Sequence, residues 1–517
     1  MSPQETIATY FKSLTLKNVK CFEDVCLKLT DEDGNITQWT LLLGDNGVGK
    51  TTLLQCLCWM RPTFEEIETK NNTTETPEDT KSTDNSDSDI SEPIRKGLLK
   101  SSLTVEDNST LEALLRINKT SELTLEAELC QGAELNSSNL IGRPGLKSNK
   151  VKTKIMLHDK DGILSKDPTE EKMNIETELG EFWEPFIVTY GANRWANLEY
   201  TGENKIEDPL AANFSVKGTE LKDAEKELII LYQAAEEKKR KRLEMEFEKL
   251  KLFPNTPKES SDEENNKKST EEKLLDIFIQ TIAKVLPDEF NAEGNIKIEP
   301  PRYIDGELKN AELKIKIMEK DIPFSELSLG YQTTLTWVLD LCWQLFMQYP
   351  KSENPRHEPA IVIIDEIDLH LHPHWQWVIM KKLAEWFPRV QFIGTSHSPL
   401  MVQSMPYANF AIMQKCEDKV EIENDPEEVR GWRIDQILNS EYFGFNHAWD
   451  TETEELFEER RELLKNPERT NEQESRLKDL EDQILLLPTE SNPRDREAMD
   501  LIREAAAALK NNFKNER

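Results

Sequence analysis

Residues 39–52, "WTLLLGDNGVGKTT", constrain the fold of this chain more than any other stretch. The apolar run "WTLLLG" reads as a strand buried on both faces. The loop after it matches G-x-x-x-x-G-K-[ST] at Gly44, Gly49, Lys50 and Thr51, and "LLQCLCWM" continues as a helix. In that strand–loop–helix setting the glycines let backbone N–H groups converge on phosphate oxygens, and the helix aims its positive end at the same point. Gly44, Asp45, Asn46, Gly47, Val48, Gly49, Lys50, Thr51 and Thr52 are therefore expected to cradle a nucleoside triphosphate. Lys50 would neutralise the β- and γ-phosphates, and the Thr51 hydroxyl would bind Mg2+.

Such a loop needs a second buried strand that carries an acid, and "IVIIDEIDLHLHPHWQ" (361–376) supplies it. Asp365 would hold the magnesium, directly or through water. Glu366 points to the opposite side of the strand end, where it can orient and deprotonate an attacking water. The same stretch sets His370, His372 and His374 at every second position, a pattern open to a metal-site reading. Pro373 interrupts any regular strand between His372 and His374, and zinc would need a fourth ligand or water and an organised surrounding. The acids, not the histidines, are read as the site. "WQWVIMKKLAEWF" (375–387) follows as a helix and "VQFIGTSH" (390–397) as another strand. That alternation implies an α/β fold, a sheet flanked by helices.

"LSLGYQ" (327–332) places Ser328 and Gly330 at the start of an apolar helix, a second anion site. Two phosphate-binding helix starts, neither able to reach the other's ligand, suggest a dimer. Ser328 and Gly330 of one subunit would cap the γ-phosphate held by Lys50 of the other.

The rest of the chain is organised around these motifs. Residues 1–62 form an N-terminal lobe with the phosphate loop, and 63–93 read as a disordered acidic loop too poor in apolar side chains to offset the entropy of ordering. Residues 94–200 are β-rich, with alternation in "SELTLEAEL" and "VKTKIMLHD". Residues 201–290 form a charged helical insertion with a polar linker; its basic run "EEKKRKR" is read as a solvated helix face. Residues 291–449 form the second lobe. Residues 450–517 are helical, with Met499, Ile502, Ala506, Leu509 and Phe513 on one face and Leu477, Leu480, Ile484 and Leu487 on another, either packed on the body or docking a partner.

Charge and composition narrow the function. The formal net charge of −33 over 517 residues is awkward for a protein that grips nucleic acid along its own surface and natural for one that embraces a basic partner. No run of 18 apolar residues indicates a membrane span. The start "MSPQETIATYF" lacks the layout of a signal peptide, and the seven scattered cysteines read as reduced thiols, so a cytoplasmic location is expected.

In the order GDNGVGKT, LSLGYQ, IVIIDE and GTSH, the chain resembles the ABC-type ATPases of the RecF and structural-maintenance-of-chromosomes group. The resemblance implies a P-loop ATPase head that uses ATP and Mg2+ and works as a homodimer or higher even oligomer. It makes His397 the switch histidine contacting the γ-phosphate, and places Asp368 in the segment that meets the partner subunit. The motif "HLHP" after the acid-bearing strand also belongs to that pattern. Leu329 departs from it, since a glycine is usual there, and no clear glutamine loop is found; Asn193 or Arg194 in "YGANR" could serve. The span between Lys50 and Ser328 is too short for the arms of chromosome-structure proteins. No nuclease domain of its own is expected, because the region after His397 reads as helices without a second acid-bearing sheet. With that layout the chain is similar to the PtuA ATPases of Septu anti-phage systems, including those attached to retrons. That family implies a separate partner nuclease with a His–Asn–His (HNH) site. It also implies contact through the complex with a retron's reverse transcriptase and its multicopy DNA, or with other nucleic acid. A RecF-like DNA-repair ATPase and a slowly turning nucleotide-sensing scaffold are the alternatives.

Overall fold

The computed structural model describes residues 7–66, 97–101, 122–132, 149–160, 163–166, 184–192, 194–196, 224–252, 268–286, 296–304, 311–317, 320–405, 408–424, 451–465 and 470–485, with short pieces near 135, 175, 210–221, 308 and 437. The chain divides into two units, Met1–Gly444 and Phe445–Arg517.

The first unit holds two large sheets. Strands β1 (Thr9–Val19), β2 (Phe22–Lys28) and β3 (Trp39–Gly44) lead into helix α1 (Lys50–Trp59). Strands β4 (Glu122–Gln131) and β5 (Asn149–Lys160) pair antiparallel, and β4 also pairs with β1. That antiparallel sheet runs β2-β1-β4-β5 and is extended by Ile163–Lys166. The second sheet joins β3 to β6 (Ile187–Tyr190), β7 (Ala360–Ile364), β8 (Val390–Ser396), β9 (Asn409–Cys416) and β10 (Lys419–Asn424). Its order is β6-β7-β8-β3-β9-β10, parallel except for the last pair.

Its central strands are buried along their whole length, which explains their unbroken apolar sequences. Leu41, Leu43, Val362, Ile364 and Phe392 face a core shared with four helices, α2 (Ala224–Leu252), α3 (Thr270–Val285), α4 (Leu329–Gln348) and α5 (Pro373–Trp386). The alternate residues Leu42, Ile361, Ile363 and Ile393 face a second core shared with α1 and the antiparallel sheet. Gln391, fully buried, ties the sheets together: its amide accepts from the Phe11 N–H at 3.0 Å and donates to the Phe11 carbonyl at 2.8 Å.

Strand order positions the site. Strand β8 lies between β3, which carries the phosphate loop, and β7, which carries the acids. Ile364 pairs with Gly394 and Leu43 with Ser396. The loops after all three strands therefore open at one edge of the sheet, where ligands of open α/β sheets bind.

Two other regions bear on the expectations from sequence. Pro62–Glu66 pairs antiparallel with Gly97–Ser101, so residues 63–66 of the expected acidic loop are strand. The pairing partner lies far along the chain, where local composition cannot report it. The remainder of that loop, 67–93, lies outside the described residues. In the insertion, α2 buries Leu228, Leu231 and Ala235, then continues with Lys238–Lys241 exposed. Arg242 donates to both carboxylate oxygens of Glu272 at 2.7 and 2.8 Å, and Glu272 also closes a capping box with Ser269 at the start of α3.

In the second unit, α6 (Thr451–Lys465) and α7 (Asn471–Leu485) form a hairpin pinned by Arg476, which donates to Glu459 at 2.9 and 2.7 Å. Leu477 and Leu480 on α7 are buried and Ile484 is half-buried. Leu487 and the stripe from Met499 to Phe513 lie outside the described residues.

Candidate functional site

The phosphate loop turns through three glycines with positive φ, Gly44, Gly47 and Gly49. At Gly49 there is no room for a side chain as well: a Cβ would come within 2.8 Å of Cys21 Sγ and of the Phe22 ring. The turn between β1 and β2 thus packs directly on the loop, and Lys20 Nζ donates to Thr52 Oγ1 at 3.2 Å. Lys50 is buried and its ammonium donates to the carbonyls of Gly44 and Asp45 at 2.7 and 2.8 Å. Burial lowers its pKa to about 8, against the opposing pull of Asp365, Glu366, Asp45 and Asp368.

Asp365 is held by two hydroxyls, one from the start of α1 and one from the end of β8. Thr51 Oγ1 donates to one carboxylate oxygen at 2.9 Å and Thr395 Oγ1 to the other at 2.6 Å. Thr395 also accepts the backbone N–H of Glu366 at 2.7 Å, so one buried threonine orders both acids. Glu366 takes φ +48 and His370 φ +63, left-handed conformations that non-glycine residues adopt only when their surroundings enforce them. Hard oxygen donors converge here, so Thr51 and Asp365 fit a magnesium ion.

Arg194 reaches the same turn from the end of β6. Its guanidinium is buried and donates to the carbonyls of Gly191, Asp365 and Glu366, the last at 2.8 Å. As a candidate for the missing glutamine loop it is instead engaged with backbone, and Asn193 lies outside the described residues. Tyr190, the last residue of β6, donates to Asp340 of α4 at 2.9 Å.

His397 is half-buried just past β8. Burial and the charge of Lys50 hold its pKa below the usual histidine value, against the pull of Asp368, Glu366 and Asp365. The imidazole is therefore neutral at physiological pH and available as a hydrogen-bond donor. Ser398 donates to Gln376 at 2.7 Å, and Gln376 in turn donates to the Leu371 carbonyl at 3.1 Å, joining the His397 loop to the segment after the acids.

The three alternating histidines do separate things. His370 takes the left-handed backbone, while His372 caps α5, its Nδ1 accepting the His374 N–H at 3.3 Å. Among the described residues no three His, Cys, Asp or Glu side chains are grouped to hold a metal.

At the start of α4, Ser328 and Leu329 are exposed and the Ser328 hydroxyl makes no capping bond to its own helix. Gln332 shapes the preceding turn by donating to the Ser325 and Leu327 carbonyls. Gly330 is buried, and any Cβ there would collide with the His370 carbonyl. Its missing side chain is thus required for close packing within the chain.

The structure gathers Lys50, Thr51, Asp365, Glu366 and His397 at one sheet edge. Thr395, Lys20 and the Tyr190–Asp340 pair join them there without any motif to mark them. Thr395 was two residues from His397 in "GTSH", but only the order of strands puts it beside Asp365.

The fold and this site are those of a P-loop ATPase domain. The chain belongs to the AAA ATPase domain family, which it matches over residues 10–402. It is 32% identical over 162 residues to the Septu protein PtuA of Bacillus mycoides (strain KBAB4), covering 31% of this chain and 22% of that relative. It is 32% identical over 165 residues to the Retron Ec83 probable ATPase of Escherichia coli, covering 29% and 30%. With the Retron Vc95 probable ATPase of Vibrio cholerae it shares 40% over 97 residues, 19% of each chain. The matched part is less than a third of the length of each of these curated relatives. Among solved structures it is similar to the SMC head domain from Thermotoga maritima, at 11% identity, covering 80% of this chain and 98% of that one, with a TM-score of 0.34.

Proposed function

We propose that this protein hydrolyses ATP at a site completed by a second copy of itself, and that the cycle regulates a separate HNH-type nuclease in anti-phage defence. The observation that carries the hydrolytic part is the chain of bonds Thr51–Asp365–Thr395–Glu366, which fixes both acids beside Lys50. In this reading Lys50 and the loop N–H groups bind the β- and γ-phosphates, while Thr51 and Asp365 hold magnesium. Magnesium held there would supply the charge that neutralises the phosphates beyond what these side chains provide. Water attacks the γ-phosphorus, the bond to the β-bridging oxygen breaks, and Glu366 takes the water's proton. His397, neutral, donates to the γ-phosphate. Ser328 and Gly330 of the second copy close over the same phosphate.

Similarity to the Septu and retron ATPases supports the defence reading, and the charge of −33 supports a basic partner protein over direct contact with DNA. Residues 450–517 are the proposed seat of that partner. No described helix is long and apolar enough to cross a membrane, and a cytoplasmic location belongs to the same proposal.

Glu366→Gln tests the chemistry. It should retain ATP, accumulate a closed dimer and lose turnover by roughly a hundredfold to ten-thousandfold. Wild-type turnover in Glu366→Gln would remove the base assignment. Tight ATP binding without measurable turnover in the unaltered protein would instead favour a sensing scaffold. Copurification from the native operon tests the partner, and the absence of any nuclease from it would sink that half of the proposal.

A further inference from the structure

Arg194 is the most deeply committed cation near the acids. Its side chain is buried, and a buried charge is costly unless its donors are satisfied. Main-chain carbonyls satisfy its two terminal nitrogens, one serving Gly191 and Asp365 and the other Glu366, while Nε is buried without a partner. Two consecutive carbonyls of the acid turn are thus held by one planar fork, a geometry that a lysine ammonium cannot reproduce. Glu366 has its N–H fixed by Thr395 and its carbonyl fixed by Arg194, on either side of a left-handed backbone. The arm that carries Arg194 is itself anchored, because Asp365 N–H continues the ladder to the Tyr190 carbonyl at 2.8 Å and Tyr190 is bound to Asp340. Although burial lowers the Arg194 pKa to about 10, with Asp365, Asp368 and Glu366 opposing it, the fork remains charged at neutral pH.

We propose that Arg194 is a positioning residue for hydrolysis: by gripping the backbone of the acid turn it holds the Glu366 carboxylate where the attacking water sits, without touching the nucleotide. This rests on the proposed role of Glu366. The left-handed backbone of Glu366 sets where its carboxylate points; its carbonyl also accepts the Leu369 N–H at 3.0 Å, and the guanidinium adds a charge-assisted bond that ties this carbonyl to that of Asp365.

The test uses the full chain with Arg194→Lys and Arg194→Gln, each alone and combined with Glu366→Gln. Arg194→Lys keeps a buried charge and most of the stem, and binding of a fluorescent ATP analogue with magnesium reports the fold in the same samples. Both single variants should lose about 30-fold or more in kcat while KM and the analogue's Kd stay within about threefold, with Arg194→Lys the milder. In the Glu366→Gln background neither should slow the residual single-turnover rate by more than about twofold, since the effect passes through the carboxylate. Equal slowing in both backgrounds would overturn the proposal. So would a loss of analogue binding that matches the loss in kcat/KM, which would place Arg194 on the nucleotide. Impaired Glu366→Gln beside normal Arg194→Lys would overturn the positioning role alone, whereas normal Glu366→Gln would overturn the reading beneath it.

Discussion

The acid turn and the start of α4 are built in opposite ways. At the acid edge, Lys50, Thr51, Asp365 and Thr395 are bonded to one another or to the loop, and every one except Thr51 is buried. At the α4 edge, Ser328 and Leu329 are exposed, and the serine hydroxyl makes no bond to its helix. The difference separates what one chain prepares alone from what it offers outward. Electrostatic catalysis requires dipoles fixed before the reaction, and fixing them takes a dry, crosslinked setting. A surface that must meet a second molecule has to leave its groups uncommitted.

The largest expected effect that sharpens this contrast is at the exposed edge. Ser328→Arg should bind ATP at its own phosphate loop with unchanged affinity, yet fail to dimerise on ATP and lose turnover by about a hundredfold or more. Equal ATP-dependent light scattering for wild type and Ser328→Arg would show that the edge faces no partner.

At the buried edge, Thr395→Val is close in shape but removes the donor to Asp365 and the acceptor for the Glu366 N–H. A fall in kcat of about 10- to 50-fold is expected, with the dimer still forming, as for loss of a hydrogen bond to a charged group. Unchanged steady-state kinetics would mean the two acids are ordered without it.

The smallest effect is in pH. Because burial lowers Lys50 to about 8, the free protein loses that charge as pH rises from 7 to 9, and phosphate must then be bound with uptake of a proton. ATP affinity should weaken by roughly tenfold over that window. Titrations showing flat affinity from pH 7 to 9 would mean the ammonium stays charged throughout.

The same contrast explains what was legible in the sequence. Gly44–Thr52 and Asp365–Glu366 are contiguous motifs whose chemistry is set by neighbours one to six residues away, so they could be read directly. Thr395 and Arg194 act on Asp365 across 30 and 171 residues of chain, through a strand order that no local pattern reveals. Gly330 was legible as a glycine at a helix start, but its reason is a carbonyl forty residues on, at His370. The pairing of Pro62–Glu66 with Gly97–Ser101 was missed on the same ground.

Gln391 has a consequence of a mechanical kind. Its amide impersonates a peptide unit, offering Phe11 the one donor and one acceptor that a neighbouring strand would offer. It does so next to the irregularity in pairing between Phe11 and Ser13. The rung is one of several: Tyr10 donates to the Arg389 carbonyl at 2.7 Å, Asn409 to the Lys28 carbonyl at 2.6 Å, and Val420 N–H to the Cys21 carbonyl at 2.9 Å. Sliding and turning of one layer on the other are therefore resisted together, as two plates held by several rivets can neither slip nor swivel.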